Sequence, residues 1–205
     1  SFPGRTYADL FNQYSEKTSD KRAGISGSLN YSGIKGLEIA AVAGVDYVLS
    51  ENLGITPPTA YSELTSGADE RERGILTKDK NTKMNLSSNV RVTYNKMFGK
   101  HDLTLGANFD YYSDHVDNLG ITGYGLSKKM QSPSGVNQSI EGNRKPSFTS
   151  RNEKTAQLGI GVLAGYSWNG IYDLFGTYKS DASSVLPSDK RWNSAWAVGG
   201  GWTLS

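Results

Sequence analysis

Hydrophobic residues recur at every second position along most of this chain, the period of a strand with one greasy face. The clearest stretch is 156–168. There Ala156, Leu158, Ile160, Val162, Ala164, Tyr166 and Trp168 fall on one face, and Gln157, Gly159, Gly161, Leu163, Gly165 and Ser167 on the other. Residues 37–47 repeat the pattern through Leu37, Ile39, Ala41, Ala43, Val45 and Tyr47, and residues 103–111 through Leu103, Leu105, Ala107, Phe109 and Tyr111. Weaker copies occupy 23–31, 86–94, 172–178 and 194–204, so seven strands are predicted.

Charge distinguishes the two faces. Glu38, Asp46, Arg91, Asp102, Asp110, Asp173 and Lys179 all take the less apolar face, and the apolar face of the strand cores carries no charge. The less apolar face is otherwise small and mixed, with Gly, Ser, Asn and Thr where a water-exposed sheet would carry Lys and Glu. That composition suits the inside of a wide, wet barrel whose other side looks out at lipid. Tyr31, Tyr47, Tyr94, Tyr111, Tyr166, Trp168, Tyr172, Tyr178, Trp196 and Trp202 share the apolar face, mostly near strand ends. Amphipathic rings fit the boundary between hydrocarbon and headgroup. The plainer reading is that Tyr and Trp favour strands anywhere.

The connections alternate. A short turn lies around Gly33, Ile34 and Lys35, and a long polar stretch follows at 51–83. A short turn at 98–101 precedes a second long stretch at 115–153. Asn169-Gly170 is a strong two-residue hairpin signal, and a medium connection spans 182–191. Pro57-Pro58, the run 132–135 and the run 142–146 mark turns inside the long stretches. Short periplasmic turns alternating with long extracellular loops are the habit of outer-membrane barrels. Strands of ~9–11 residues suffice to cross when tilted. The predicted fold class is therefore all-β, an antiparallel transmembrane β-barrel segment.

Composition narrows the choice. The 205 residues include 24 Gly, which argues against an all-helical protein. No run approaches ~18 apolar residues, so no transmembrane helix is expected. A net charge of +2 makes no electrostatic case for nucleic acid as a partner. The absence of Cys excludes a disulfide scaffold and a thiolate metal site. The chain starts at Ser1 with no signal-like segment. It is expected to be one β-barrel domain with no plug domain, an internal section of something longer.

Motifs for bond chemistry are weak. Gly159, Gly161 and Ala164 fit G-x-G-x-x-A, but that fingerprint needs a helix after the strand, and here the alternation runs on to Trp168. His101 and His115 are the only histidines and are expected at opposite rims, which disfavours a shared metal. Asp110, Asp114 and Asp117 have the chemistry for Ca²⁺, against the simpler reading of a solvated loop mouth. Asp181, Ser183 and Ser184 lack a His base nearby and read as a turn. Asn30, Asn85 and Asn137 open N-x-S patterns, which carry no weight in a Gram-negative outer membrane. No catalytic residue, metal or cofactor is expected. Arg91, Asp110, Tyr112 and Lys179 are the candidate lumen residues for a substrate path, against the reading that they bond one another. Tyr61 and Tyr124 are the candidate loop aromatics for stacking on a ligand ring, against packing within the loop.

Residues 171–205 carry a more specific signal. Asp181, Ser183 and Ser184 are followed by Arg191-Trp192 and, ten residues later, by Gly201, Trp202 and Ser205. This resembles the barrel signature of SusC/RagA-type TonB-linked outer-membrane transporters, whose Arg-Asp-Gly-Ser-Ser turn, Asn-Arg-Trp stretch and closing Gly-Trp-x-Ile-Ser these residues match one by one. Residues 94–103 are similar to a hairpin of the same kind. Ala182 replaces the usual Gly, Val185-Leu186 replaces Arg-Phe, and Ala195-Trp196-Ala197 replaces Phe-Pro-Ser.

The resemblance implies a barrel of about 22 strands filled by a plug, of which this chain would supply about seven. It implies import of oligosaccharides or peptides with a SusD-like surface lipoprotein, and energy from TonB acting on a plug outside this chain. Partners would be that lipoprotein, TonB, the lipid bilayer and the ligand. The location would be the Gram-negative outer membrane. The alternative is a soluble β-sandwich ligand-binding module, in which the apolar faces of two sheets would press together ~10 Å apart.

Overall fold

The computed structural model describes residues 14–129, 132–137 and 144–203. Leu204 and Ser205 of the closing signature, Ser139 of the third N-x-S pattern and the turn residues Gly142 and Asn143 lie outside the described residues. Seven strands form one antiparallel sheet in chain order. They are β1 (Ser15–Ile34), β2 (Leu37–Thr56), β3 (Ile75–Phe98), β4 (His101–Tyr124), β5 (Ser147–Trp168), β6 (Tyr172–Ser183) and β7 (Trp192–Trp202). One short helix, α1 (Tyr61–Thr65), and single 3₁₀ turns at Glu70–Glu72 and Pro133–Gly135 occupy the long connections. The sheet is not closed: β1 and β7 are its ends. All the described strands belong to this one sheet, so the two-sheet sandwich is not what the chain forms.

The strands outrun the hydrophobic pattern. β2 continues to Thr56 and β3 starts at Ile75, so the first long connection narrows to residues 57–74. β4 runs to Tyr124 and β5 starts at Ser147, which leaves residues 125–146 for the second. Polar cross-strand pairs help to hold the added length of β2 against β1. Ser50 Oγ donates to Asp20 at 2.6 Å, and Asn52 Nδ2 donates to Glu16 at 2.8 Å. Hydrophobic periodicity reports burial of one face, and a strand laced by polar pairs has no such stripe to report.

Register keeps the apolar residues together. Tyr166 faces Leu174 and Trp168 faces Tyr172 across β5–β6. Tyr172 faces Trp202 and Gly176 faces Val198 across β6–β7. The β5–β6 turn places Asn169 at φ 54° and Gly170 at φ 67°, the paired left-handed conformation that tight hairpins need.

The chain divides into two compact units. The first comprises Ser1–Arg22, Val48–Lys83 and Val116–Asn152. It has a buried core of Ile55, Leu76 and Leu126, with Leu53 and Val136 packed against it. The second comprises Ala23–Tyr47, Met84–His115 and Glu153–Ser205. Most of its large apolar side chains stand on one face of the sheet and stay open. Ile25 is 78% exposed and Trp196 is 76% exposed.

Candidate functional site

Strand alternation in the second unit sends one residue of each pair to the polar face, and the side chains there meet. Gly159 is opposite Asp181 and Gly161 opposite Lys179 in the β5–β6 register. A Cβ at 159 would lie 3.0 Å from Asp181 Oδ1, and one at 161 would strike Asn108 Oδ1. Asp181 and Asn108 thus close over the two bare glycines, and a hollow opens beside Gly159. The hollow measures about 660 Å³, and its polar lining includes Asn89, Asp110, Tyr112, Lys179 and Asp181.

Hydrogen bonds hold this lining. Asn89 Nδ2 donates to Asp110 Oδ1, and Asn108 Nδ2 donates to Asp110 Oδ2 at 2.9 Å. The Tyr112 hydroxyl donates to Asp114 at 2.9 Å. Lys179 Nζ lies 3.1 Å from Asp181 Oδ2, with both side chains more than half exposed. Such a solvated pair contributes ~0–1 kcal/mol, so it orients the groups more than it stabilises the fold. The result is an open surface of donors and acceptors fit to exchange hydrogen bonds with a polar ligand.

Three of the six residues singled out from sequence, Asp110, Tyr112 and Lys179, line this one hollow. Arg91 lies on the same polar face but borders a smaller hollow of about 230 Å³, with Asn30, Ser32 and Glu38. Tyr61 and Tyr124 belong to the first unit. Tyr61 opens α1 and is 46% exposed. The Tyr124 ring is covered on one side by the Arg144 guanidinium, 5.6 Å from the ring centre.

Arg144 in turn pairs with Glu63 at 2.5 Å. Glu63 is buried, and it also accepts the Gly74 N–H at 2.9 Å. Sequence reasoning missed this clasp between the two long connections. It missed Asn89 and Asn108 too, although both stand at polar-face positions of an alternating strand, which was the available signal.

The other motifs resolve as strand and turn. Gly159, Gly161 and Ala164 lie inside β5, with no helix following. Ser184 Oγ accepts the Ala156 N–H at 2.7 Å, and Ser183 Oγ accepts that of Val185 at 3.4 Å. Among the described residues no group of three or more His, Asp or Glu is placed to hold a metal.

The opposite, apolar face of the same unit ends in stacked rings. Trp168 stacks on Tyr172 with centroids 5.8 Å apart, and Tyr172 on Trp202 at 6.5 Å. His101 stacks on Phe98 at 5.1 Å, and its Nδ1 lies 2.5 Å from the Tyr166 hydroxyl.

No family model and no curated protein matches the sequence. Solved structures do. The RagAB peptide importer in its closed-closed state superposes with a TM-score of 0.74 at 22% identity, over 92% of this chain and 20% of that one. A structure of the RagAB peptide transporter gives 0.74 at 21% identity, over 95% of this chain and 21% of that one. The open-open state gives 0.67 at 22% identity, over 95% and 21%. This chain thus spans about a fifth of the length of the chains it matches. The fold is that of a stretch of SusC/RagA-type barrel wall.

Proposed function

We propose that this chain forms a section of the wall of a TonB-dependent transporter in the Gram-negative outer membrane, importing peptides or oligosaccharides with a SusD-like surface lipoprotein. The observation that carries the reading is the split between faces in the second unit. One face is apolar, uncovered and fringed by stacked Trp and Tyr, and the other is hollowed and lined by hydrogen-bonding groups. Lipid is the solvent that suits the first, and a wet lumen suits the second.

The mechanism is passage rather than bond chemistry. A ligand binds at the mouth, TonB pulls on a plug outside these residues, and the ligand moves along the lumen. Asp110, Tyr112, Lys179 and Arg91 would offer it hydrogen bonds on the way, and Tyr61 and Tyr124 would belong to the mouth. Peptide import by the fold neighbours favours peptides as the cargo class.

The test is expression of the full-length protein in a Gram-negative host. It should fractionate with the outer membrane, change gel mobility on boiling, and support peptide uptake only when TonB is present. Recovery in the soluble fraction would overturn the membrane reading. Uptake that ignores TonB would overturn the transport mechanism.

A further inference from the structure

Charge in the second unit is sorted across the sheet. Every Asp and Glu on its described strands stands at a polar-face position. Near the short turns these are Glu38, Asp102 and Asp173. The apolar face at the same end carries a lysine and an imidazole instead. Lys96 alternates outward two residues before Phe98, and His101 stands beside Tyr166. Lys100 sits in the β3–β4 turn. Lys35 sits in the β1–β2 turn, which reaches the end of β3 through a 2.7 Å bond from the Asn95 N–H to the Gly36 carbonyl. Lys35, Lys96 and Lys100 have no ion-pair partner among the described residues. The His101 ring is fixed by its stack on Phe98 and by Tyr166 at Nδ1, and its Nε2 has no protein partner among the described residues.

We infer that this turn-end rim of the apolar face, centred on Lys96, Lys100 and His101, is a binding site for the headgroup phosphate of an anionic phospholipid. A phosphodiester offers only acceptors and a negative charge, and the rim offers unpaired ammonium groups with no carboxylate on its own face to repel that charge. Leu103 and Leu105 continue outward from His101 along β4, so an acyl chain has an apolar track leading away from the phosphate. Free phosphate could use the charges but not the track. The rings of Phe98 and Tyr166 sit where glycerol and carbonyl groups of a lipid would lie. Lysines beside an anionic leaflet gain from its surface potential as well as from the single headgroup. The inference rests on the membrane reading above and names which leaflet component the short turns select.

The experiment uses the full-length protein in detergent, stripped of lipid and titrated by native mass spectrometry. Phosphatidylglycerol should be retained at about tenfold lower concentration than phosphatidylcholine of the same chain length, the size of effect expected from one or two lysine–headgroup attractions. Combined Lys96→Gln, Lys100→Gln and His101→Gln substitution should erase that preference. The single exposed change Lys96→Gln should reduce it by about threefold, which keeps the test open if the triple variant misfolds. Lys154→Gln, on β5 and outside the cluster, should leave it intact. Equal retention of the two lipids, or a triple variant that keeps the preference, would overturn the site. Displacement of the lipid by millimolar inorganic phosphate would overturn the lipid as its ligand. A protein that enters the membrane but shows no headgroup preference defeats this inference alone, whereas one that stays soluble defeats the reading beneath it.

Discussion

Leu76 and Trp196 belong to the same sheet and follow opposite rules. Leu76, in the first unit, is 1% exposed and packs with Ile55 and Leu126. Trp196, in the second, is 76% exposed and has apolar neighbours along its own face. The first unit gathers a few hydrophobes into a buried core and buries a carboxylate with a partner. The second displays its hydrophobes and keeps its carboxylates on the far side. Both residues lie in one sheet, so strand structure alone does not decide which side chains are covered.

The contrast can be broken by mutation, and the largest effect is expected where a charge is hidden. Arg144→Ala strips Glu63 of its cation and leaves a buried carboxylate, a change that costs about 3–5 kcal/mol. Hydrogen exchange at the Leu76 and Leu126 amides should accelerate in that variant, and unchanged protection would mean the pair is ornamental. Leu76→Ala leaves a cavity in the small core and should cost about 3 kcal/mol, read as a lower midpoint for protease nicking of residues 57–74.

In the second unit the sign of the effect tests the proposed lipid contact. Ile160→Arg should impair assembly of the full-length protein by about 2–4 kcal/mol, because an outward Arg at mid-membrane is costly. Normal assembly of that variant would show that the face has been assigned to the wrong solvent. Gly74→Ala, in the first unit, should cost about 1–3 kcal/mol, since Gly74 has φ 91° and an added Cβ would meet Leu126 at 2.8 Å. Melting of the variant compared with Gly67→Ala, also at positive φ but in open space, separates crowding from backbone strain. The smallest change is Lys128→Ala. Its pair with Glu70 spans 3.3 Å between two largely exposed side chains, so the shift should stay below about 1 kcal/mol.

The second unit was the legible one. Its alternation at 37–47, 103–111 and 156–168 marks strands, faces and the polar stripe at once, because each strand segregates two kinds of side chain. The first unit was obscure for the converse reason. Leu53, Ile55, Leu76, Leu126 and Val136 are scattered apolar residues in polar surroundings, and only the fold gathers them. Nothing in the spacing of Glu63 and Arg144, 81 positions apart, announces a pair. The hollow was half visible: Asp110, Tyr112 and Lys179 fall on the predicted face, but their convergence depends on a register that no single strand encodes. Tyr124 is visible in sequence as a loop aromatic, whereas Arg144, the cation that covers it, stands in a run whose residues signal only a turn.

The bare positions at 159 and 161 make calibre a matter of single carbon atoms. A methyl group at either would press on Asp181 or Asn108 without removing any donor or acceptor. At 161 shape and polarity are coupled, because the Asn108 that would have to move also donates to Asp110. An exchange of glycine for alanine at 161 would therefore rearrange the hydrogen-bonding surface together with the space it bounds.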